Sequence, residues 1–280
     1  MSSDKTKINK NKSLRTTILP TWCPGCFNFQ ILSGVQNFLE NEIKKGKKLD
    51  DFAIVSGIGC NSKIFDYLNL PGANTLHGRV PPTCTGIKLA KPKLKVFGFS
   101  GDGDAYAEGI EHTIHAARFN TDFTYIVHNN QVFALTLGQP TPVTEKGYID
   151  KSNPSGNFLL PLNPLKLMLS SGASFVARVF ANSEQVRDIL EKSKNHKGFV
   201  FIEIIQPCLI FHHNTYENRF YNLQESGHNK EDLSQAFCKS EEFDYVSVES
   251  KIPLGIFYQK ERETFQELKL DRRYNGKSKN

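Results

Sequence analysis

An aspartate and an asparagine that each follow a short apolar run are the residues of this 280-residue chain best suited to chemistry. Asp102 lies within Gly101-Asp102-Gly103, and Asn130 is the second residue of an Asn-Asn pair. Carboxylate and amide oxygens are ligands that Mg²⁺ accepts readily while it keeps other positions for water and phosphate. The glycines let the backbone approach a diphosphate closely, with N–H groups free where a helix begins. The sequence therefore predicts a magnesium and diphosphate site.

Two strands and a helix must bring these residues together. Residues 94–99 and 122–127 are apolar runs of strand length, and residues 105–118 between them predict a helix. A crossover of this kind joins parallel strands and places their carboxyl ends at one edge of the sheet. Ligands of open α/β sheets bind at that edge. We therefore expect Asp102 and Asn130 to point into one cleft.

The spacing of this aspartate and asparagine, with a strand before each and a helix between them, resembles the thiamine diphosphate motif. The resemblance implies that Asp102, Asn130 and the main-chain carbonyl of Val132 hold Mg²⁺ against the diphosphate of the cofactor. It thus implies two cofactors, thiamine diphosphate and Mg²⁺.

The cysteines provide a second, independent signal. Cys23 and Cys26 form a Cys-x-x-Cys just before an amphipathic helix, which alone fits a redox pair, half a zinc site or half an iron–sulfur site. Cys60 follows a predicted strand at residues 52–55, and Cys208 follows another that ends at residue 205. Four thiolates beside a thiamine diphosphate site suggest one [4Fe–4S] cluster rather than structural zinc, because redox chemistry has a use there.

An ordered series of short segments runs through the chain. The segments are Thr21-Trp22-Cys23-Pro24-Gly25-Cys26, Gly57-Ile58-Gly59-Cys60, His77-Gly78-Arg79, Thr85-Gly86-Ile87-Lys88, Gly101-Asp102-Gly103-Asp104, Leu135-Thr136, Gly138-Gln139, Gln206-Pro207-Cys208 and Ile252-Pro253-Leu254-Gly255-Ile256-Phe257-Tyr258. Together they resemble the β subunit of the 2-oxoacid:ferredoxin oxidoreductases, especially the short 2-oxoglutarate type. The resemblance covers residues 14–265.

The resemblance implies an α/β fold, namely the diphosphate-binding half of the thiamine diphosphate-binding fold. We expect a mostly parallel sheet flanked by helices, within a cofactor- and cluster-binding domain at residues 14–211. Residues 212–265 would form a C-terminal arm that packs on the domain or on a partner. Basic tails at residues 1–13 and 266–280 would complete the chain.

The resemblance also assigns site residues. Those implied to bind thiamine diphosphate are Gly59, Cys60, Asn61, Ser62, His77, Gly103, Asp104, Ala134 and Leu135. His77 and Arg79 are implied to contact phosphate or a substrate carboxylate, and Leu137 to face the substrate. The cluster ligands would be Cys23, Cys26, Cys60 and Cys208.

The implied activity is the oxidative decarboxylation of a 2-oxoacid with coenzyme A, giving acyl-CoA, CO₂ and reduced ferredoxin. An α subunit would supply the glutamate that activates the cofactor, in an αβ or α2β2 assembly, so this chain alone should be inactive. Two alternatives remain open at this point: a non-redox thiamine diphosphate decarboxylase or synthase component with structural cysteines, and a zinc-stabilised interaction subunit.

Three departures from the family pattern bear on the site. Phe27 replaces the usual glycine after the second cysteine and could crowd the cluster. Leu137 occupies a position where a lysine could pair with the distal carboxylate of 2-oxoglutarate. Ile210 stands where a threonine is common. We therefore favour 2-oxoglutarate as the substrate only slightly over pyruvate or 2-oxobutyrate.

Composition excludes several other classes. The chain has no apolar run long enough to span a membrane, and residues 1–12 are polar rather than a secretion signal. The two ends carry more positive charge than the +6 of the whole chain, so the body is nearly neutral and offers no nucleic-acid-binding face. Free cysteines with ligand-like spacing favour a reducing cytoplasm.

Overall fold

The computed structural model describes residues 13–213, 216, 218–245 and 249–269. Residues 1–12 and 270–280 of the two predicted basic tails lie outside the described residues. Within the described part of the chain, no helix is both long and apolar enough to cross a membrane.

Helices and strands alternate through most of the described chain. The strands are β1 (Phe52–Ser56), β2 (Gly72–Asn74), β3 (Lys95–Gly101), β4 (Thr124–Asn129), β5 (Val132–Phe133), β6 (Gln139–Pro140), β7 (Phe175–Phe180), β8 (Val200–Ile205), β9 (Phe220–Asn222) and β10 (Ile252–Gln259). The helices are α1 (Asn28–Lys44), α2 (Ile64–Tyr67), α3 (Val80–Ala90), α4 (Ile110–Phe119), α5 (Pro164–Ser170), α6 (Ser183–Ser193) and α7 (Leu233–Glu241).

One large sheet organises the fold, with strand order β2-β1-β3-β4-β8-β7-β10-β9. The first six strands in this order, which are β2, β1, β3, β4, β8 and β7, are parallel, as predicted. Strand β10 runs antiparallel to β7. The central strands are buried on both faces, which explains why their sequences are continuous apolar runs rather than alternating ones.

Helices cover both faces of this sheet and create two hydrophobic cores. Neighbouring residues of one strand serve opposite cores, as when Val55 faces one and Ile54 the other. On one face α1 packs against α6, and on the other lie α3, α4, α5 and α7. This arrangement leaves the carboxyl edge of the parallel strands to loops, where the candidate site residues lie.

The helix predicted at residues 105–118 is not continuous, and this prediction was wrong in detail. A π-helical turn occupies Asp104–Glu108, and the regular helix α4 begins only at Ile110. The backbone is close-packed at Gly109, where a Cβ atom would lie 2.6 Å from the carbonyl oxygen of Asp104. π-Helical turns are frequent at functional sites.

Residues 212–265 were predicted to form an arm. In the described portion they supply β9, α7 and β10, and β10 joins the main sheet beside β7. The weak local periodicity of this region hid its strands, because their partners lie far away in the sequence.

Candidate active site

Asp102 and Asn130 lie side by side at the carboxyl edge of the sheet. Gly101 pairs with His128 across β3 and β4, so the two strands end at the same level. The main-chain N–H of Asn130 lies 3.4 Å from Oδ1 of Asp102, and the hydroxyl of Thr141 donates to Oδ2 at 2.5 Å. The predicted convergence of these two residues is therefore present in the fold.

The carboxyl group of Asp102 is poised for a cation. Its side chain is buried, and this burial raises its pKa to about 7, although hydrogen bonds from Thr141 and Asn130 oppose the rise. A carboxylate in such surroundings is stabilised by a positive charge. Asn130 adds an amide oxygen that now accepts from the N–H of Val132 at 3.1 Å. This donor set fits Mg²⁺.

Glycine is required where the backbone meets this cleft. A Cβ atom at Gly103 would lie 2.1 Å from the ring of Phe133, and one at Gly57 would lie 1.9 Å from Oδ2 of Asp104. Any larger residue would displace these neighbours. The glycines of both motifs thus allow the ends of β1 and β3 to approach each other.

His77 lies in the cleft and contacts a buried carboxylate. Its Nδ1 atom is 3.4 Å from Oδ1 of Asp104, which also accepts the N–H of Gly78 at 2.7 Å. Burial raises the pKa of Asp104, and the hydrogen bonds to it oppose the rise. Oδ1 of Asp104 therefore faces an imidazole nitrogen and a backbone donor at once.

The other predicted cofactor and substrate residues divide into two groups. Those that line the Asp102 cleft are Gly59, Cys60, Asn61, Gly103, Asp104, Val132, Ala134 and Leu135. Ser62 instead donates to the carbonyl of Gly59 at 2.7 Å within a 3-10 turn, and exposed Arg79 lies against His112 at 2.6 Å. The structure thus brings His77, but not Ser62 or Arg79, into the lining of this cleft.

Leu137 also lies outside the Asp102 cleft. It lines the neighbouring cysteine cavity, is 64% exposed, and has a left-handed backbone with φ of 80°. Such a conformation is uncommon for a leucine and typical of residues held in place at functional sites.

The four predicted cluster ligands line one cavity of about 310 Å³. They are Cys23, Cys26, Cys60 and Cys208. Burial raises the pKa of Cys60 to about 11, and the nearby Cys26 and Cys208 thiols add to the rise. Burial therefore favours the protonated thiol of Cys60 over its thiolate. Among the described residues, no group of three or more His, Cys, Asp or Glu side chains is arranged to hold a single metal ion.

The two remaining cysteines lie elsewhere, as the sequence predicted. Cys84, a residue of α3, is fully buried in the core, and Cys238 is exposed on α7. Phe27, which by its position could crowd a cluster, is not among the residues that line the cysteine cavity. Its ring packs edge-on against Phe180 at 5.3 Å.

A buried ion pair that sequence reasoning missed contacts Asn129, which is the residue before Asn130. Nε of Arg178 donates to Glu203 at 2.7 Å, and Glu203 also accepts from Asn129 at 2.8 Å. The hydroxyl of Tyr245 bridges both charged groups. Arg178 and Glu203 interrupt the apolar runs of β7 and β8, and that interruption was the available signal.

Comparisons with known proteins agree with this arrangement. Residues 57–204 match the family model of the thiamine pyrophosphate enzyme C-terminal TPP binding domain. Residues 211–271 match the family model of the C-terminal part of the pyruvate ferredoxin oxidoreductase beta chain. The first match confirms thiamine diphosphate as the cofactor.

Individual relatives cover most of the chain. It is 38% identical over 269 residues to the 2-oxoacid:ferredoxin oxidoreductase subunit beta of Saccharolobus solfataricus, covering 90% of this chain and 86% of that one. It is 42% identical over 197 residues to the 2-oxoglutarate synthase subunit KorB of Archaeoglobus fulgidus, covering 70% and 72% respectively.

A solved structure is also similar, that of 2-oxoglutarate:ferredoxin oxidoreductase from Magnetococcus marinus with 2-oxoglutarate, coenzyme A and succinyl-CoA bound. The TM-score is 0.83 at 31% identity, covering 94% of this chain and 89% of that one. These similarities confirm the predicted fold and family, and the chain belongs to the β subunits of the 2-oxoacid:ferredoxin oxidoreductases.

Proposed function

We propose that this chain, together with an α subunit, oxidatively decarboxylates a 2-oxoacid with coenzyme A and passes the electrons through a [4Fe–4S] cluster to ferredoxin. The products are an acyl-CoA, CO₂ and reduced ferredoxin. We favour 2-oxoglutarate as the substrate, with pyruvate and 2-oxobutyrate as the alternatives.

One observation carries this proposal: the Asp102 cleft and the cysteine cavity share a wall. The residues that line both are Cys60, Asn130, Ala134, Leu135 and Gln206. An electron that leaves a substrate in the first space needs to cross little more than this wall to reach the second. A cluster placed there could accept electrons one at a time.

Asp102, Asn130 and the carbonyl of Val132 would hold Mg²⁺, and the cation would neutralise a diphosphate bound beside it. Asn61 would add a donor to that diphosphate, because its buried Nδ2 atom lines the cleft and lacks a hydrogen-bond partner within the described structure. Gly103, at the start of the π-helical turn, lines the same space.

Thiamine diphosphate, when bound, supplies the electron sink that decarboxylation requires. The protein supplies position and polarity. Asp104 favours the His77 tautomer with hydrogen on Nδ1, which leaves Nε2 to accept a hydrogen bond from a hydroxyl or N–H group of a bound cofactor or substrate. Phe133 and Leu135 contribute apolar surface to the cleft and limit the entry of water.

An α subunit would cover the open side of the cleft. Among the described residues, every large hydrophobic side chain that is more than half exposed lies in a segment after β2, β5, β6 or β8, or just before Cys23. These side chains are Ile18, Leu19, Leu76, Leu137, Ile149, Phe158, Leu159, Leu160 and Ile210. An apolar surface of this kind marks a protein interface. Its position around the cofactor cleft supports a partner that completes the site.

The test is anaerobic purification of the α–β complex, followed by analysis of iron, sulfide, zinc, Mg²⁺ and thiamine diphosphate. Ferredoxin reduction would be assayed with coenzyme A and each of the three 2-oxoacids, and the complex mass would separate αβ from α2β2. We expect four irons per β subunit and coenzyme A-dependent ferredoxin reduction. Thiamine diphosphate without iron would instead indicate a non-redox decarboxylase or synthase, and zinc without thiamine diphosphate an interaction subunit.

A further inference from the structure

Three buried polar side chains connect the cysteine cavity to the Asp102 cleft. They are Asn28 at the start of α1, His128 in β4 and Gln206 directly after β8, and each is at most 2% exposed. Buried polar groups are costly unless they are hydrogen-bonded, so their contacts determine what they can do.

The contacts form a continuous chain that begins at a cluster thiol. Nδ2 of Asn28 lies 3.6 Å from Sγ of Cys26, and Oδ1 of the same amide lies 2.9 Å from Nδ1 of His128. Nδ1 of His128 is also 3.1 Å from Oε1 of Gln206.

With the Asn28 and Gln206 amides oriented as they are in the structure, one placement of hydrogens satisfies all three contacts. His128 faces two amide oxygens through Nδ1, so Nδ1 carries the hydrogen and donates to both. Asn28 must then present its oxygen to His128 and its NH₂ group to Cys26. If the amide were flipped, two donors would meet at His128 and a carbonyl oxygen would face the sulfur. His128 therefore fixes the Asn28 amide in the orientation that donates to Cys26.

The far end of this chain reaches the cofactor cleft. His128 lines that cleft, and its Nε2 atom is buried without a hydrogen-bond partner in the described structure. Phe99 packs edge-on against the imidazole at 5.9 Å and restricts its rotation. Asn28 and Cys26 also line the cysteine cavity, so the chain spans the wall between the two spaces.

We propose that Asn28 donates a hydrogen bond to the Cys26 thiolate of the loaded cluster and thereby raises the cluster's reduction potential, with His128 holding the amide in place. The inference rests on the proposed [4Fe–4S] site. Reduction adds negative charge to a cluster, and an N–H donor at a ligand sulfur stabilises the more negative state. Asn28 is thus a tuning residue, and His128 is a positioning residue that acts through it.

The experiment is a redox titration of the α–β complex, followed by electron paramagnetic resonance of the reduced cluster, in wild type, Asn28→Ala and Asn28→Asp. Both variants remove the donor, and the aspartate keeps the shape and can still accept from His128. We expect the ratio of reduced to oxidised cluster at a fixed potential to fall about tenfold, which is 59 mV for a one-electron couple. If the alanine variant fails to retain iron, Asn28→Leu decides, because leucine has a similar shape, lacks the donor and, unlike aspartate, adds no charge.

Two further variants separate tuning from general disturbance. His128→Phe keeps a ring but lacks the Nδ1 donor, so the potential should fall by a smaller amount in the same direction. Trp22→Phe is the control, because the indole donates to the Cys60 carbonyl and not to a sulfur. Its cluster should keep the wild-type potential.

The outcomes distinguish this inference from the proposed function. A wild-type complex without a four-iron signal would remove the cluster itself and the proposed function with it. Intact clusters with equal potentials in wild type and the Asn28 variants would overturn the inference alone. An equal fall in Trp22→Phe would also overturn it, because loop disturbance would then account for the effect.

Discussion

The indole N–H of Trp22 donates a 2.6 Å hydrogen bond to the main-chain carbonyl of Cys60. It joins the Cys-x-x-Cys loop to the turn after β1, which lies 38 residues further along the chain. Edge-on contacts with Phe29 and Tyr67 hold the indole in place. Since Trp22 is the only tryptophan and lines the cavity of the four candidate cysteine ligands, its fluorescence reports on that cavity.

Replacing any one of the four cavity cysteines with serine should abolish the four-iron signal. The variants are Cys23→Ser, Cys26→Ser, Cys60→Ser and Cys208→Ser. Each removes a thiolate ligand, and the loss of the cluster should leave Trp22 fluorescence brighter than in the loaded protein. Iron analysis and electron paramagnetic resonance measure the result. Cys84→Ser and Cys238→Ser are the controls and should keep full iron content. An unchanged spectrum in Cys208→Ser would remove that residue from the ligand set.

Asp102 should make the stability of the metal-free chain fall, relative to that of Asp102→Asn, as pH rises from about 4 to 7. Burial raises the folded-state pKa of Asp102 to about 7, whereas an unfolded aspartate titrates near 3.9. The folded chain therefore binds this proton more tightly, so the stabilisation is complete below pH 4 and is lost through pH 7. The slope is at most about 1.4 kcal/mol per pH unit. Urea unfolding with a chelator present measures it, and identical slopes in the two proteins would contradict the assignment. Asp102→Asn should also fail to retain Mg²⁺ and thiamine diphosphate.

Gly57→Ala should destabilise the chain and weaken cofactor retention. The added methyl group would overlap the carboxylate of Asp104 and displace it from Gly78 and His77. Overpacking of this kind costs about 1–3 kcal/mol. Gly86→Ala is the matched control, since its Cβ atom meets nothing within 4 Å on α3. It should stabilise the helix by about 0.5–1 kcal/mol. Thermal unfolding distinguishes the two, and effects of the same sign would contradict the prediction.

Arg178→Met should lower the free energy of unfolding by about 3–5 kcal/mol, because it leaves the carboxylate of Glu203 buried without its cation. Adding Glu203→Gln should restore part of the loss, since a neutral amide can still accept from Asn129. Urea denaturation of the single and double variants gives the comparison. A double variant no more stable than the single one would show that packing around Arg178, rather than its charge, is what matters.

Leu137→Lys should raise kcat/KM for 2-oxoglutarate relative to pyruvate by about tenfold, which corresponds to about 1.4 kcal/mol. A lysine could pair with the distal carboxylate, and the side chain is exposed at the edge of the shared wall. Steady-state kinetics of the α–β complex measure the ratio. Leu233→Lys, on α7 away from the cleft, is the control and should leave it unchanged. An unchanged ratio in Leu137→Lys would mean that the α subunit, rather than residue 137, recognises the distal end of the 2-oxoacid.

The sequence alone determined the parallel sheet and the meeting of Asp102 with Asn130. Both depend on local information: apolar runs of strand length, a helix between them, and glycines at the turn. A crossover leaves few choices for where the strand ends lie, so spacing along the chain becomes proximity in space. The positions of the Cys-x-x-Cys motif and of the cysteines after two strands could be predicted for the same reason.

The division of neighbouring side chains between the cleft and other surroundings could not be predicted from the sequence. His77 enters the cleft, whereas Arg79, two residues later, begins the turn into α3 and faces His112. Phe27 turns toward Phe180, and the ion pair of Arg178 with Glu203 joins two strands. Such contacts are made between residues remote in sequence, and the local periodicity of the sequence does not predict them. The path from Cys26 through Asn28 to His128 exists for the same reason, because it needs a helix start and a strand end to meet.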